Sequence, residues 1–231
     1  AWTEADGKLL VLADPASDAD LSPLLDPFGL GLERGVVFEG DEAAVIGGDV
    51  TAPIIRTYSS AHPVVRRLAP TFLPGVQGVT VDDSAEARVP GLTVSRLADT
   101  SPLSYLETEP VAAAFDEGDD LPGPISVAAA ADRSRNDGAE IRRSRILVVG
   151  DVDFATDPFL GEAANGALFV RAVEWLTLGE DLAAISPNLP ADRPLRLTDA
   201  RVAYARLVLA GLVPLVFLLA GAMVWAVRRS R

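Results

Sequence analysis

The strongest constraint on this chain is a run of 21 residues without a charged side chain, Leu207–Val227, close to its end. As an α-helix the run would measure about 31 Å, which matches the hydrocarbon core of a bilayer. Tyr204 and Trp225 stand near its two ends, where aromatic rings favour the membrane interface. The pattern therefore predicts one transmembrane helix over residues 205–228, and a buried core helix is the less favoured alternative.

The orientation of this helix follows from its short basic tail. Arg228, Arg229 and Arg231 come after the apolar run. Four arginines also precede it, but they belong to a long domain, and long domains cross the membrane largely regardless of charge. We therefore expect the tail, residues 229–231, in the cytoplasm. The chain is then a single-pass protein of the cytoplasmic (inner) membrane, in contact with the lipid bilayer, with its soluble domain extracytoplasmic.

Charge and cysteine content exclude several functions. The net charge of −13 argues against a nucleic-acid binder, because a polyanion would be repelled. The chain has no cysteine, which excludes disulfides, thiolate nucleophiles and zinc–thiolate sites. It begins with Ala1, and a strand-like run follows almost at once. We therefore expect further sequence upstream.

Apolar runs between turn-forming residues indicate the fold class. Lys8–Ala13 and Ile146–Gly150 are typical of buried parallel strands. A helix is predicted over Gly166–Leu178, with Asn165 as its N-cap. The order of strands and helices predicts an α/β domain with a mainly parallel sheet over residues 1–184.

Two further segments are predicted to lack regular structure. Residues 40–74 are rich in Gly and Pro and are predicted as loops. Residues 185–204 contain three prolines and are predicted as an extended juxtamembrane linker.

Asp151 and Asp153 are the first candidates for a ligand site. They follow a predicted parallel strand, at the edge where open α/β sheets bind ligands. Two carboxylates at this spacing suit a divalent cation or an activated water. The alternative is that they accept backbone N–H bonds in a turn. We favour the turn, because no third carboxylate or His has metal-ligand spacing, and we predict no metal site.

His62 and Asn165 complete the ligand-binding candidates. His62 is the only histidine and suits a base or a ligand, although a lone histidine before a proline is more often structural. Without a cysteine or a G-x-S-x-G motif, no nucleophile–base pair can be assembled, so no enzyme is predicted. Gly29-Leu30-Gly31 and Gly47-Gly48 match no phosphate-binding motif, so no cofactor is predicted.

Several short motifs, spread in order over nearly the whole chain, carry a resemblance to a known family. They are Gly7–Pro15, Pro23–Leu25 through Leu30, Tyr58 with His62-Pro63, Thr100–Pro102 with Ser104, Tyr105 and Glu107, Arg145–Phe154, Asn165 with Ala172–Leu176, Asp192–Pro194, and the terminal apolar run. In this combination the chain resembles the GldG family, the auxiliary subunits of gliding-motility-type ABC transporters.

The resemblance implies a fold, a partner and a function. It implies a glutamine-amidotransferase-like (flavodoxin-like) three-layer domain without the catalytic cysteine, and an N-terminal membrane helix upstream. The implied partners are an ABC permease subunit and its ATPase. The implied function is a non-catalytic, membrane-anchored accessory subunit. Two alternatives stay open: a membrane-tethered, metal-dependent hydrolase using Asp151 and Asp153, and a carbohydrate- or peptide-binding module.

Overall fold

The computed structural model describes residues 7–108, 114–136, 138 and 141–178, and seven positions between 210 and 229. The chain divides into two compact units, Ala1–Leu189 and Pro190–Arg231. The described strands and the four α-helices named next all belong to the first unit.

Thirteen strands and four short or medium helices make up this unit in the part that is described. The strands are β1 (Lys8–Leu12), β2 (Leu30–Leu32), β3 (Val36–Phe38), β4 (Val45–Ile46), β5 (Asp49–Ile55), β6 (Thr57–Tyr58), β7 (Thr71–Phe72), β8 (Val79–Val81), β9 (Leu92–Asp99), β10 (Tyr105–Glu107), β11 (Leu121–Pro122), β12 (Ser126–Asn136) and β13 (Ile141–Val149). The helices are α1 (Ser22–Leu25), α2 (Ala85–Arg88), α3 (Asp157–Leu160) and α4 (Asn165–Leu178), with single 3-10 turns at Asp26–Phe28, Glu42–Ala44 and Asp153–Ala155.

The main sheet has five strands in the order β1-β13-β12-β9-β6. Only β1 and β13 pair in parallel; β12 is antiparallel to both β13 and β9, and β6 is antiparallel to β9. Three smaller sheets, β11-β10-β3, β4-β5-β7 and β2-β8, are antiparallel throughout. The predicted mainly parallel, flavodoxin-like three-layer fold is therefore wrong.

The physical reason for this error lies in the β12–β13 hairpin. The two strands follow each other directly and fold back on one another, from Ala128 opposite Val149 to Asn136 opposite Ile141. Consecutive strands with so short a connection can only be antiparallel, because a parallel pair needs a crossover of a dozen residues or more. An apolar run in a sequence does not indicate whether its strand pairs in parallel or antiparallel. The order of strands along the chain therefore did not reveal the antiparallel pairing.

The predicted transmembrane helix also needs correction. Among the described residues, no helix has both the length and the apolar character needed to cross a bilayer. Most of Leu207–Val227, and the predicted linker at residues 185–204, lie outside the described residues. The fold class that ended in a C-terminal membrane helix is thus not supported.

Residues 40–74 contain strands where loops were predicted. Gly47 and Gly48 join β4 to β5 with φ of +65° and +80°. A two-residue hairpin turn with positive φ at both positions suits the right-handed twist of the strands, and glycine adopts it without a steric penalty. The glycine pair therefore marks a hairpin.

The main sheet is buried on both faces. Leu147 and Val149 of β13 belong to a core beneath α4, whereas Ile146 and Val148 belong to a second core that includes Phe28. A strand buried on both sides has no polar face, which explains the continuous apolar run. β1, β13 and α4 therefore lie close to where the sequence predicted them.

Asn165 joins the start of α4 to β7. Its Oδ1 accepts the backbone N–H of Phe72 at 2.8 Å, and its Nδ2 donates to the carbonyls of Phe72 at 2.7 Å and Phe159 at 3.0 Å. The side chain is fully buried. Asn165 thus pairs with an edge strand as another strand would, and its amide is committed to these bonds instead of capping the helix as predicted.

We predict that Asn165→Ala lowers the free energy of unfolding by about 3 kcal/mol or more, because it leaves several buried polar groups without partners. Urea denaturation of both proteins measures this loss. Asn165→Asp keeps the acceptor and removes both donors, so it should also be strongly destabilising. A loss below about 1 kcal/mol for the alanine variant would contradict the assigned role.

Candidate functional site

The structure places the predicted residues Asp151, Asp153 and His62 in separate parts of the main sheet. Asp151 and Asp153 follow β13, at the edge where β1 also ends. His62 packs against Trp175, whose ring lies beneath Arg145 in the middle of β13. Asp151 lies six residue steps beyond Arg145 along an extended chain, or about 20 Å. The structure therefore does not bring His62 together with the two aspartates.

Asp151 is buried in a turn. Its Oδ1 accepts the backbone N–H of Asp153 at 2.7 Å, and its Oδ2 has no hydrogen-bond partner. Burial is the main cause that raises the pKa of Asp151 to about 7; the charges of Asp153 and Asp14 add to the rise, against backbone N–H bonds. Asp153 is exposed. Within the described residues, no group of three or more His, Asp or Glu side chains is placed to hold a metal ion.

The raised pKa of Asp151 predicts a pH-dependent stability. Between about pH 4 and pH 7 the native carboxyl keeps a proton that the unfolded chain loses, so this group destabilises the native state progressively as the pH rises through that window. Asp151→Asn has no such titration. Relative to this variant, the original chain should lose about 1–3 kcal/mol of unfolding free energy between pH 5 and pH 8. Equal pH profiles for the two proteins in urea denaturation would contradict the prediction.

A polar cavity of about 240 Å³ lies beside His62, on the half of the main sheet nearer the β12–β13 hairpin. Its floor is the face of the main sheet that α4 covers further along. The polar side chains of this floor come from three adjacent strands: Thr93 and Ser95 of β9, Asp132 and Ser134 of β12, and Arg143 of β13.

Strand register explains why these side chains share one face. Asp132 lies opposite both Thr93 and Arg145, and Ser134 lies opposite Arg143. Directly opposed residues in a sheet point to the same side. The same face carries Ala130 and Leu147 in the core, so it changes from apolar to polar at the cavity.

His62 and Trp175 form the wall of the cavity. Their rings meet edge to face with centroids 4.9 Å apart. His62 Nδ1 and Trp175 Nε1 are both buried without a hydrogen-bond partner. Burial, helped by the charge of Arg145 and opposed by that of Asp132, lowers the pKa of His62 to about 4. The imidazole is therefore neutral at pH 7 and is a weak base.

Arg145 connects this wall to the floor. Its Nε donates to Asp132 Oδ2 at 2.8 Å, its Nη1 donates to the Trp175 carbonyl at 2.6 Å, and its guanidinium lies 4.9 Å from the centre of the Trp175 ring. The Trp175 carbonyl is in the last turn of α4, where carbonyls have no partner within the helix. The buried guanidinium of Arg145 thus forms an ion pair with a carboxylate, donates a hydrogen bond to a carbonyl at a helix end, and lies over an aromatic ring.

We predict that Arg145→Ala lowers the free energy of unfolding by about 3–5 kcal/mol, since it leaves the largely buried Asp132 without its main cation. Arg96→Ala is the matched control. Arg96 pairs with Asp83 on an exposed surface, with side chains 46% and 75% exposed, so its loss should cost at most about 1 kcal/mol. Similar losses for the two variants would contradict the central role of Arg145.

The sequence prediction included His62 but missed Trp175, Arg145 and Asp132. The sequence did contain a signal for the pairing of Asp132 with Arg145. The two residues lie at equal distances from the middle of the charged segment that forms the β12–β13 hairpin. Trp175 carried no such signal, since only the packing of α4 brings it to the cavity.

The motif that begins at Thr100 is structural. Glu39 is buried and accepts hydrogen bonds from the hydroxyl and the backbone N–H of Ser101. Thr100 Oγ1 lies 2.6 Å from Ser104 Oγ and accepts the backbone N–H of Ile125. These bonds hold the turn after β9, and they account for the Ser and Thr residues there.

Comparisons with known proteins give a fold but no family. No family model matches the chain, and no curated protein sequence matches it. The chain is similar in structure to the mmIFT52 N-terminal domain, with a TM-score of 0.51 and 15% identity over 76% of this chain and 67% of that chain. At this identity the likeness shows a shared fold alone.

These findings correct part of what the resemblance implied. One structural neighbour is an IFT52 domain, not an ABC transporter subunit, and the described residues include no membrane-spanning helix. The assignments to a gliding-motility ABC transporter in the inner membrane, with a periplasmic domain on a single membrane helix, are therefore not supported.

Proposed function

We propose that this chain is a non-catalytic accessory subunit whose domain binds a small polar ligand in the cavity beside His62 and Trp175. The cavity supports the ligand-binding part of this proposal, and the accessory role comes from the family resemblance. At about 240 Å³ it is large enough for a ligand rather than one water, whose share of liquid volume is about 30 Å³. Of the alternatives that the sequence left open, a carbohydrate- or peptide-binding module agrees best with it.

The polar groups of the cavity favour a ligand that both donates and accepts hydrogen bonds. Asp132 bonds to Arg145 at 2.8 Å and contacts Arg143 at 3.3 Å, so its carboxylate is paired, and His62 is neutral at pH 7. The remaining polar groups on the floor are hydroxyls, which both donate and accept. Sugars and peptide backbones present the same mixture of donors and acceptors.

A hydrolase at Asp151 has less support. One oxygen of Asp151 is committed to the turn, and the other is buried. Neither Asp151 nor Asp153 lines the cavity beside His62.

The partner predicted from the family resemblance, a permease with its ATPase, stays a prediction. It predicts that the full-length chain co-purifies with such a permease. If it never does so, the partner is wrong, while ligand binding in the cavity is tested separately.

Thermal-shift measurements test the cavity directly. We expect a monosaccharide, disaccharide or short peptide to raise the Tm of the full chain by roughly 5–10 °C at 100 times its Kd. Thr93→Phe places a ring in the cavity and should abolish the shift. Ala87→Phe, at an exposed position on α2, is the matched control and should keep it. A panel without any hit, or an unchanged shift in Thr93→Phe, would contradict the proposal.

A second variant separates function from stability. His62→Phe keeps an aromatic ring against Trp175 and removes a buried nitrogen without a partner, so the free protein should be at least as stable. If the nitrogen serves the ligand, affinity should fall about tenfold or more, since an unpaired polar contact costs at least about 1.4 kcal/mol. Lost stability with unchanged affinity would show that His62 is structural only.

A further inference from the structure

An exposed aromatic patch lies on the small sheet β11-β10-β3, on elements that do not line the cavity beside His62. Tyr105 of β10 pairs with Phe38 of β3, and their rings stack with centroids 5.5 Å apart. Phe115 packs edge-on against Tyr105 at 5.7 Å and is 47% exposed. Leu103, two residues before Tyr105, is 67% exposed. We call Leu103, Tyr105 and Phe115 the aromatic patch.

Three exposed carboxylates adjoin this patch. Asp116, Glu117 and Asp119 follow Phe115 directly and are exposed; we call them the acidic rim. Their loop is held by the buried Asp120, which accepts the backbone N–H groups of Asp116 at 2.8 Å and Thr108 at 3.2 Å. The acidic rim is therefore fixed beside Phe115 by hydrogen bonds to the end of β10.

Tyr105 responds to the negative field of this region. Burial is the first cause that raises the pKa of its hydroxyl, and the charges of Glu107 and Asp120 raise it further. A cation at this surface is attracted by the negative potential of the carboxylates and also by the faces of the aromatic rings. The field therefore complements a cationic partner.

We propose that the aromatic patch and its acidic rim dock an arginine-bearing segment of a partner protein. A guanidinium stacks on an aromatic ring and forms paired hydrogen bonds with a carboxylate, and its aliphatic stem packs on apolar side chains such as Leu103. Exposed apolar side chains flanked by charge are typical of interaction surfaces. A second copy of this chain is a poor occupant, since each copy carries a net charge of −13.

A peptide titration of the full-length chain, followed by NMR of the aromatic ring signals, tests this proposal. The probe is acetyl-Gly-Arg-Leu-Arg-Gly-amide, with counterparts in which lysine or citrulline replaces arginine. We expect the Tyr105 and Phe115 signals to shift with the arginine peptide, and the Kd to be at least about threefold weaker with lysine. Binding should weaken strongly at about 1 M salt, where the Debye length is about 3 Å. Equal binding of the citrulline peptide would overturn the proposal.

Variants locate the binding on the surface. Phe115→Ala and the double variant Glu117→Gln/Asp119→Asn should each weaken binding of the arginine peptide about tenfold, and the Tm of each variant checks its folding. Ile141→Ala, at a side chain that is 76% exposed elsewhere, and Asp18→Asn, at an exposed carboxylate elsewhere, are the matched controls and should leave the Kd unchanged. Equal effects of test and control variants, or none in either, would overturn the proposal.

Discussion

The buried guanidinium of Arg145 is the interaction on which the described domain depends most. It joins β13 to β12 through Asp132, and it joins the sheet to the last turn of α4 through the Trp175 carbonyl. A cation in this place is stable only because each of its contacts lowers the cost of burial. The same cation marks the point where the sheet face changes from apolar to polar. The core and the cavity therefore share one boundary.

The sequence predicted elements well and their arrangement poorly. The strand at Ile146–Gly150 and the helix at Gly166–Leu178 are close to β13 and α4. A continuous apolar run marks the strand, and apolar residues at helical spacing mark the helix. The prediction of a parallel sheet was wrong because the connections between strands decide their relative direction. The hairpin between β12 and β13 requires antiparallel pairing. The hairpin at Gly47-Gly48 was missed for another reason. Its glycine-rich composition is typical of a loop, but the two glycines form the tight turn that joins two strands.

The candidate site was predictable only in part. Asp151 and His62 stood out in the sequence, but they lie in separate parts of the main sheet and form no common site. Asp151 and Asn165 hold backbone segments, so the chemistry of their side chains serves the fold. Strand register and helix packing bring the other residues of the cavity next to His62. Neither can be read from the sequence pattern. A neutral histidine at a polar cavity is therefore a finding of the structure.

The chain contains a single histidine, which allows a direct test of this account. In untagged protein labelled with ¹⁵N-histidine, the two ring nitrogens can be followed without assignment through a pH titration. Burial against Trp175 beside the charge of Arg145 predicts a neutral ring that gains its proton only near pH 4. Titration near the ordinary value of about 6.5 would mean a solvated imidazole, and it would contradict the proposed wall of the cavity.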